Sequence, residues 1–211
     1  MWGEPELERA RARMVERTIA RRGIHDEGVL HAMRAVPRHR FVPEGMRLRA
    51  YEDLPLEIGE EQTISQPYIV ALMAELGQVG PGTRVLDVGT GSGYQAAVLA
   101  EMGGDVYSIE RIPALLDRAR STLEDNGYAR IHLRIGDGKE GWPEHAPYDA
   151  ILVAAATAHV PPALIDQLAE GGRLVLPVGG EEVQELLVLE KTPWGSIRRR
   201  TVGGVAFVPL V

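Results

Sequence analysis

Hydrophobic and polar positions follow a helical period in the first part of the chain. Apolar residues recur every three or four positions in residues 4–22 and again in residues 27–35, which predicts two amphipathic helices. Residues 37–63 have little periodicity and several prolines and glycines, so they are predicted to form a long loop region of the kind that is often functional. A third helix is predicted for residues 67–76, with a proline in its first turn.

From residue 84 onward, short apolar runs alternate with segments of helical period. The runs predict strands at 84–89, 105–110, 131–136, 148–155 and 173–179, with helices between them at 94–102, 113–124 and 161–169. Two last apolar runs, 185–190 and 202–208, predict a hairpin at the sheet edge that turns around residues 193–195.

The alternation of strands and helices predicts the fold class. Such units imply right-handed crossovers, so we expect an α/β fold with a doubly wound, mostly parallel sheet and an N-terminal helical cap. The chain is expected to be one compact unit with two parts. Residues 1–78 would form the helical cap and a substrate loop, and residues 79–211 would form the ligand-binding core.

Composition and charge narrow the class of protein. The chain has 211 residues, 45% hydrophobic and 25% charged, as is usual for one compact domain. It contains no cysteine, which excludes disulfides, thiol nucleophiles and cysteine-based metal sites. The net charge of -7 argues against binding to the phosphates of nucleic acid. The six histidines have no metal-ligand spacing, so we expect no metal site.

No segment of the sequence predicts a membrane span. The longest stretch without Asp, Glu, Lys or Arg, residues 150–165, contains a histidine and two prolines, and it is shorter than the roughly 20 apolar residues that a bilayer requires. The charged N-terminal segment lacks the apolar core that is typical of a secretory signal. We therefore expect a cytoplasmic protein, a monomer, that binds neither membrane nor nucleic acid.

The strongest chemical signal is a glycine-rich turn after the first predicted strand of the core. It reads Asp-Val-Gly-Thr-Gly-Ser-Gly at 87–93, where glycines let the backbone approach a ligand and helix N-terminal N–H groups point at it. Glu110 stands 17 residues beyond Gly93, at the end of the next strand, where an acid can bind ribose hydroxyls. The candidate cofactor-binding residues of these two strands are Asp87, Gly89, Thr90, Gly91, Ser92, Gly93 and Glu110.

Nicotinamide dinucleotides and S-adenosylmethionine both bind in this geometry. The dinucleotide fingerprint requires a small residue at position 94, where this chain has Tyr94. The spacing Asp-x-Gly-x-Gly-x-Gly instead resembles the first motif of class I S-adenosylmethionine-dependent methyltransferases, which have a Rossmann-like fold. Asp137 and Gly138, after the third core strand, stand where those enzymes hold adenine. A dehydrogenase and a purely structural glycine turn stay open as alternatives.

The segment after the fourth core strand bears on the methyl acceptor. Enzymes of this fold that methylate exocyclic amines of nucleic acids resemble one another in an Asn/Asp-Pro-Pro-Tyr/Phe motif at that place. Residues 154–159 here read Ala-Ala-Ala-Thr-Ala-His. Methylation of an amine is therefore disfavoured.

Segments along nearly the whole chain closely resemble the protein-L-isoaspartate O-methyltransferase family. The most specific of them is Thr-Ile-Ser-Gln-Pro-Tyr at 63–68. The matching segments are 36–43, 50–56, 57–73, 85–100, 107–112, 136–152 and 207–211. The resemblance implies transfer of a methyl group from S-adenosylmethionine to the free α-carboxylate of isoaspartyl residues in damaged peptides and proteins, which starts their repair.

The resemblance also implies site residues on the acceptor side. Ser65 would be the active-site hydroxyl, and Thr63 and Gln66 would line the acceptor pocket beside it. The chain departs from the family at 156–161, where the family usually has an Ala-Ala-Pro-like run before Glu-Ile/Val-Pro and this chain reads Ala-Thr-Ala-His-Val-Pro. His159 is included as a candidate substrate-binding residue.

A carboxylate acceptor would need few catalytic groups. Its pKa near 4 leaves it ionised at neutral pH, so no general base is required. Catalysis then depends on alignment of the reacting atoms and exclusion of water. Ser65 would orient one carboxylate oxygen through a hydrogen bond. Alternatively, Thr63 and Ser65 could cap the helix that begins near Pro67.

Two other functions stay open at this point. The first is a related carboxyl methyltransferase that acts on an ordinary aspartate of a dedicated partner peptide or on a small carboxylate, which the departure at residues 157–159 motivates. The second is a non-catalytic module that binds the nucleoside cofactor as a sensor.

Overall fold

The computed structural model describes residues 3–180 and 183–210. Its α-helices are α1 Glu4–Met14, α2 Glu27–Ala35, α3 Pro67–Gly77, α4 Tyr94–Glu101, α5 Pro113–Asp125 and α6 Pro162–Asp166. Its strands are β1 Leu56–Gly59, β2 Gln62–Ile64, β3 Arg84–Val88, β4 Asp105–Glu110, β5 His132–Ile135, β6 Tyr148–Val153, β7 Leu168–Gly179, β8 Gln184–Lys191 and β9 Ile197–Val205. No helix of the described residues is long and apolar enough to cross a membrane.

Seven strands form one sheet in the order β5-β4-β3-β6-β7-β8-β9. Strands β3 to β7 pair in parallel, whereas β8 and β9 are added antiparallel at one edge. The chain runs outward from β3 to β5 and then crosses to β6 on the other side of β3. Open α/β sheets bind ligands at the carboxyl ends of their strands beside such a reversal. The predicted doubly wound, mostly parallel sheet is confirmed.

Apolar side chains form one cluster on each face of this sheet. Alternation along β3 places Val85 in the larger cluster and both Leu86 and Val88 in the smaller one. The larger cluster also contains Met33 of α2 and Leu99 of α4. The N-terminal helices therefore pack directly on the core helices and share one apolar interior with them.

The first predicted helix, at 4–22, changes type along its length. It is an α-helix to Met14, a π-helix over Val15–Ile19 and a 3-10 helix over Ala20–Arg22. Gly23 then ends it with a left-handed φ of 95°. Val15 and Ile19 are fully buried. The prediction of a helix here is confirmed, although apolar periodicity did not reveal the change of helix type.

The prediction that residues 37–63 form only a loop is wrong. This segment contains 3-10 helices at Arg38–Arg40 and Glu44–Arg49, and it ends in the antiparallel pair β1 and β2. The strands have only four and three residues, which is too short for an alternating pattern to show in the sequence.

The last predicted helix, at 161–169, extends too far. The helix ends at Asp166, and β7 begins at Leu168, where it pairs with Tyr148. The pairing register then shifts before Ala150. Gly172 lies in the part of β7 where the register shifts, and a Cβ atom there would lie 2.9 Å from the Tyr148 carbonyl oxygen. Strand β7 is therefore longer than predicted because a bulge keeps its first residues in the sheet.

Candidate active site

The glycine-rich turn joins β3 to α4 at the reversal point of the sheet. Gly89, Gly91 and Gly93 have φ angles of 94°, 52° and 86°, in the left-handed region that favours glycine. Gly93 is the N-cap residue of α4. The turn thus carries the backbone sharply from the strand end into the helix, whose N-terminal N–H groups face the space above the sheet.

Asp87 lies beneath this turn and is fully buried. Its carboxylate accepts hydrogen bonds from Ser108 Oγ at 2.6 Å and from Gln95 Nε2 at 2.8 Å. Thr90 Oγ1 lies 2.7 Å from the same Ser108 hydroxyl. Burial outweighs these hydrogen bonds and raises the pKa of Asp87 to about 6. The structure therefore places Asp87 as a support of the turn, outside the lining of the neighbouring cavity.

Glu110 connects the end of β4 to the glycine-rich turn. Its Oε2 accepts a hydrogen bond from the Gly91 N–H at 2.8 Å, and its Oε1 accepts from the N–H groups of Arg111 and Ile112. A carboxylate has about four acceptor positions, so Oε2 keeps capacity for one more donor. Glu110 also lines the cavity above the sheet.

We call this space the cofactor cavity. Of the predicted cofactor-binding residues, it is lined by Gly89, Thr90, Gly91, Ser92, Glu110 and Gly138. Apolar side chains complete its wall, among them Val88, Ile109, Ile112, Leu115 and Leu210. The sheet edge thus brings together three segments that are far apart in sequence, as predicted from the strand ends.

Of the neighbouring residues Asp137 and Gly138, only Gly138 lines the cofactor cavity. Gly138 lines the cavity and approaches β3 so closely that a Cβ atom there would overlap Val88 Cγ1. The exposed Asp137 does not line the cavity, and its carboxylate accepts a hydrogen bond from the Lys139 N–H at 2.9 Å. A contact of Asp137 with cofactor therefore stays a prediction.

A second space, the acceptor groove, opens between α3 and β9. Its walls include Tyr68, Ile69 and Leu72 of α3 and Val202, Gly203, Gly204 and Val205 of β9. Gln66 lines only this groove, whereas Thr63 and Ser65 line both the groove and the cofactor cavity. Two other residues line both spaces, Ala154 and Val208. The two spaces therefore meet at the segment that the resemblance singled out.

Ser65 is half-buried at this junction. Its hydroxyl makes no hydrogen bond with any residue that the structure describes, so it remains available to a ligand. The alternative that Thr63 or Ser65 caps α3 is wrong, because the N-cap residue is Gln66 and no side chain of these residues bonds to the helix N-terminus. Asp53 takes that part instead, since its Oδ1 accepts from the Tyr68 N–H at 3.1 Å.

Asp53 also fixes Gln66. The Gln66 Nε2 atom donates to the Asp53 carboxylate at 2.7 Å and to the Asp53 carbonyl at 3.0 Å. Sequence analysis missed this residue because it precedes the helix by more than ten positions, and only the β1–β2 pair brings the two segments together. One signal was present: Asp53 belongs to the matching segment 50–56.

His159 lies away from Ser65. It lines a third cavity together with Lys139 and Thr157, on the other side of residues 206–210. We call residues 206–210 the C-terminal strap. Since the structure does not bring His159 to the junction of groove and cofactor cavity, its contact with substrate stays a prediction.

The C-terminal strap is held at two places. Ala156 N–H donates to the Val208 carbonyl at 2.8 Å, and the Leu210 N–H donates to the Ala156 carbonyl at 2.7 Å. Gln184 exchanges two hydrogen bonds with the backbone of Phe207, at 2.8 and 3.0 Å. The strap supplies Val208, Pro209 and Leu210 to the cofactor cavity.

Comparisons with known proteins point to one family. A sequence model of the family described as protein-L-isoaspartate(D-aspartate) O-methyltransferase (PCMT) matches residues 9–211. The protein-L-isoaspartate O-methyltransferase 1 of Syntrophobacter fumaroxidans is 55% identical over 205 residues, which cover 97% of this chain and 95% of the relative. The protein-L-isoaspartate O-methyltransferase of Methanoculleus marisnigri is 55% identical over 203 residues, which cover 96% and 92%.

A solved structure has the same fold over nearly its whole length. It is a crystal structure from Plasmodium falciparum, described as a candidate protein-L-isoaspartate O-methyltransferase in complex with S-adenosyl-L-homocysteine. The TM-score is 0.83 at 27% sequence identity, and the alignment covers 95% of this chain and 98% of that one. Because the family model and these relatives cover almost the whole chain, the chain belongs to the protein-L-isoaspartate O-methyltransferase family.

Proposed function

We propose that the protein transfers a methyl group from S-adenosylmethionine to the free α-carboxylate of L-isoaspartyl residues in damaged peptides and proteins, the first step of their repair. The observation that carries this proposal is the junction of the two spaces. Only Thr63, Ser65, Ala154 and Val208 line both of them among the described residues. None of these side chains can accept a proton at neutral pH, which suits an acceptor that is already ionised.

The residues of the cofactor cavity fit S-adenosylmethionine. The N-terminus of α4 with its glycine-rich turn suits a carboxylate group. Glu110 has a free acceptor position for a ribose hydroxyl, and the apolar wall at Ile109 and Leu210 suits a purine ring. When bound, S-adenosylmethionine supplies an electrophilic methyl group on a sulfonium sulfur. Gly89, Gly91, Ser92, Glu110 and Gly138 would hold it there.

The protein's own contribution is positioning and exclusion of water. Ser65 offers its hydroxyl as a hydrogen-bond donor to one oxygen of the acceptor carboxylate, and the backbone around Thr63 forms the adjoining wall. The acceptor carboxylate attacks with an electron pair that it already carries, so no side chain removes a proton. Alignment and desolvation are the effects available to such a site.

The family match favours an isoaspartyl acceptor over the alternative of a dedicated partner aspartate. A cytoplasmic location and a monomeric state belong to the same proposal and stay predictions. Nucleic acid and anionic membrane surfaces do not suit a chain with a net charge of -7, because both carry negative charge.

The test is labelled methyl transfer to two synthetic peptides that differ only in having isoaspartate or aspartate at one position. We expect the isoaspartyl peptide alone to be labelled. Equal labelling of both peptides would contradict the specificity, and labelling of neither, with S-adenosylmethionine still bound, would refute the proposed activity.

Ser65→Ala is expected to lower kcat by about tenfold or more, since one oriented donor to the reacting group is lost. The affinity for S-adenosylhomocysteine, measured by calorimetry, should stay within about twofold. The matched control is Ser121→Ala, which removes a hydroxyl from the exposed side of α5. A variant Ser65→Ala with the kcat of the parent protein would exclude Ser65 from the reaction.

A further inference from the structure

We propose that Arg22 makes the acceptor groove selective for isoaspartyl peptides that carry an acidic side chain close to the reacting residue. This inference rests on the proposed function and concerns which acceptors the same site prefers. Among the described residues that line the groove, Arg22 is the one with a charged side chain. The remaining lining is apolar, hydroxyl-bearing or amide-bearing, so Arg22 sets the electrostatic character of the groove.

Two contacts hold the Arg22 guanidinium at the groove wall. Its Cζ atom lies 3.5 Å from the centroid of the Tyr68 ring, in a cation–π arrangement. Its Nη1 atom donates to Asp53 Oδ2 at 2.7 Å. Arg22 is also the last residue of its 3-10 helix, directly before the left-handed Gly23. The charge is therefore placed by a short, sharply turned piece of backbone and by contacts on two sides.

Donor capacity remains on this guanidinium. Asp53 accepts one donor of Arg22, because Oδ1 accepts from Tyr68 and Oδ2 accepts from both Gln66 and Arg22 Nη1. An arginine carries five N–H donors in a planar fork. The donors of Arg22 other than Nη1 make no hydrogen bond with the residues that the structure describes. The side chain is 46% exposed, so these donors can reach a second carboxylate.

The reacting carboxylate itself lies elsewhere. Arg22 lines the acceptor groove and not the cofactor cavity, whereas Ser65 lines both. Methyl transfer has to occur where the two spaces meet. Arg22 therefore contacts a different part of the acceptor peptide, and the carboxylate that it binds is an Asp or Glu side chain near the isoaspartyl residue.

The experiment uses three isoaspartyl peptides that are identical except for the residues flanking the isoaspartate, which are Glu, Gln or Lys. At low ionic strength we expect the Glu peptide to have a kcat/KM about threefold to tenfold above that of the Lys peptide, as for a partly exposed ion pair. Arg22→Gln should bring this ratio close to one. Arg22→Lys should keep most of it, because the positive charge remains.

Arg21→Gln is the matched control. It removes the same charge from an exposed neighbouring residue that does not line the groove, and it should leave the ratio unchanged. A Glu-to-Lys ratio of kcat/KM that survives in Arg22→Gln would overturn the inference. An Arg22→Gln variant whose kcat/KM falls by the same factor for all three peptides would also overturn it. So would Arg21→Gln if it changed the ratio as much as Arg22→Gln does. Failure of the parent protein to methylate any isoaspartyl peptide would instead refute the proposed function.

Discussion

At the scale of single residues, two buried carboxylates help to set the shape of the site. Asp87 and Glu110 stand at the ends of neighbouring strands, and both carboxylates accept hydrogen bonds, from Ser108 and Gln95 and from backbone N–H groups respectively. Glu110 faces the cofactor cavity, whereas Asp87 lies behind the turn. The two acids that the sequence grouped as cofactor-binding candidates therefore differ: Glu110 lines the cavity, and Asp87 supports the turn from behind.

Asp87 should make the stability of the protein depend on pH. Burial raises its folded-state pKa from 3.8 to about 6, so the folded protein binds this proton more tightly than the unfolded chain does. Its contribution to the free energy of unfolding is complete below about pH 4 and is lost as the pH rises through about 6. We expect a loss of about 3 kcal/mol from this group across that range.

Urea unfolding at pH 4 and pH 7 checks this prediction. Asp87→Asn cannot ionise, so its free energy of unfolding should decline less between these two pH values than that of the parent protein. Asp125→Asn, at an exposed position of α5, serves as control and should follow the parent protein. If Asp87→Asn shows the parent's dependence on pH, the buried carboxylate does not carry the effect.

The C-terminal strap is the feature that matters most at the scale of elements. It forms no strand of the main sheet, yet it walls the cofactor cavity and the acceptor groove and separates both from the cavity at His159. Its attachment depends on Ala156, which follows β6, and on Gln184, the first residue of β8. The closing wall of the site is thus held by two residues that do not themselves line the cofactor cavity.

Gln184→Ala should loosen the strap. Two hydrogen bonds to the Phe207 backbone are lost, which should lower the free energy of unfolding by about 2 kcal/mol and accelerate dissociation of S-adenosylhomocysteine by about tenfold. Stopped-flow dissociation and hydrogen exchange of the Phe207 and Leu210 amides measure the two effects. Glu185→Ala, an exposed neighbour on β8, should change neither. Faster exchange with unchanged dissociation would show that the strap does not retain the ligand.

At the scale of the whole molecule, the N-terminal helices and the sheet share one apolar interior. Met33 accepts a hydrogen bond on its sulfur from the Tyr94 hydroxyl, and Phe41 packs edge-on against the same ring with centroids 5.6 Å apart. Tyr94 is the first residue of α4, directly after the glycine-rich turn. The cap therefore packs on the helix that begins at the cofactor cavity.

We expect cap and core to unfold in a single transition. Urea unfolding followed by far-ultraviolet ellipticity and by tryptophan fluorescence should give the same midpoint. Met33→Ala should lower both midpoints equally, at a cost of about 2–5 kcal/mol for a cavity in a shared interior. Two separated transitions, or a shift of one signal alone, would mean that residues 1–78 and 79–211 are independent units.

Local patterns determined much of this protein from sequence alone. Strand and helix periods predicted the doubly wound sheet, and the glycine spacing with Glu110 predicted the edge at which the cofactor cavity lies. The sheet and the glycine-rich turn depend on residues close together in the chain or on the repeated order of strands, so the sequence displays them directly. The family resemblance of the segment at 63–68 implied Thr63 and Ser65 as site residues, and the structure places both where the groove and the cofactor cavity meet.

Tertiary structure alone decided which side chains meet across long separations. It paired Asp53 with Gln66 and Tyr68 and placed Arg22 on the groove wall. It also placed Asp137 and His159 outside the linings of the cofactor cavity and the acceptor groove, so that their ligand contacts stay predictions. It also brought the C-terminal strap against Ala156. Such contacts follow from the β1–β2 pair, the register of β7 and the path of the strap, and no local period or turn residue encodes them because their partners lie on different elements.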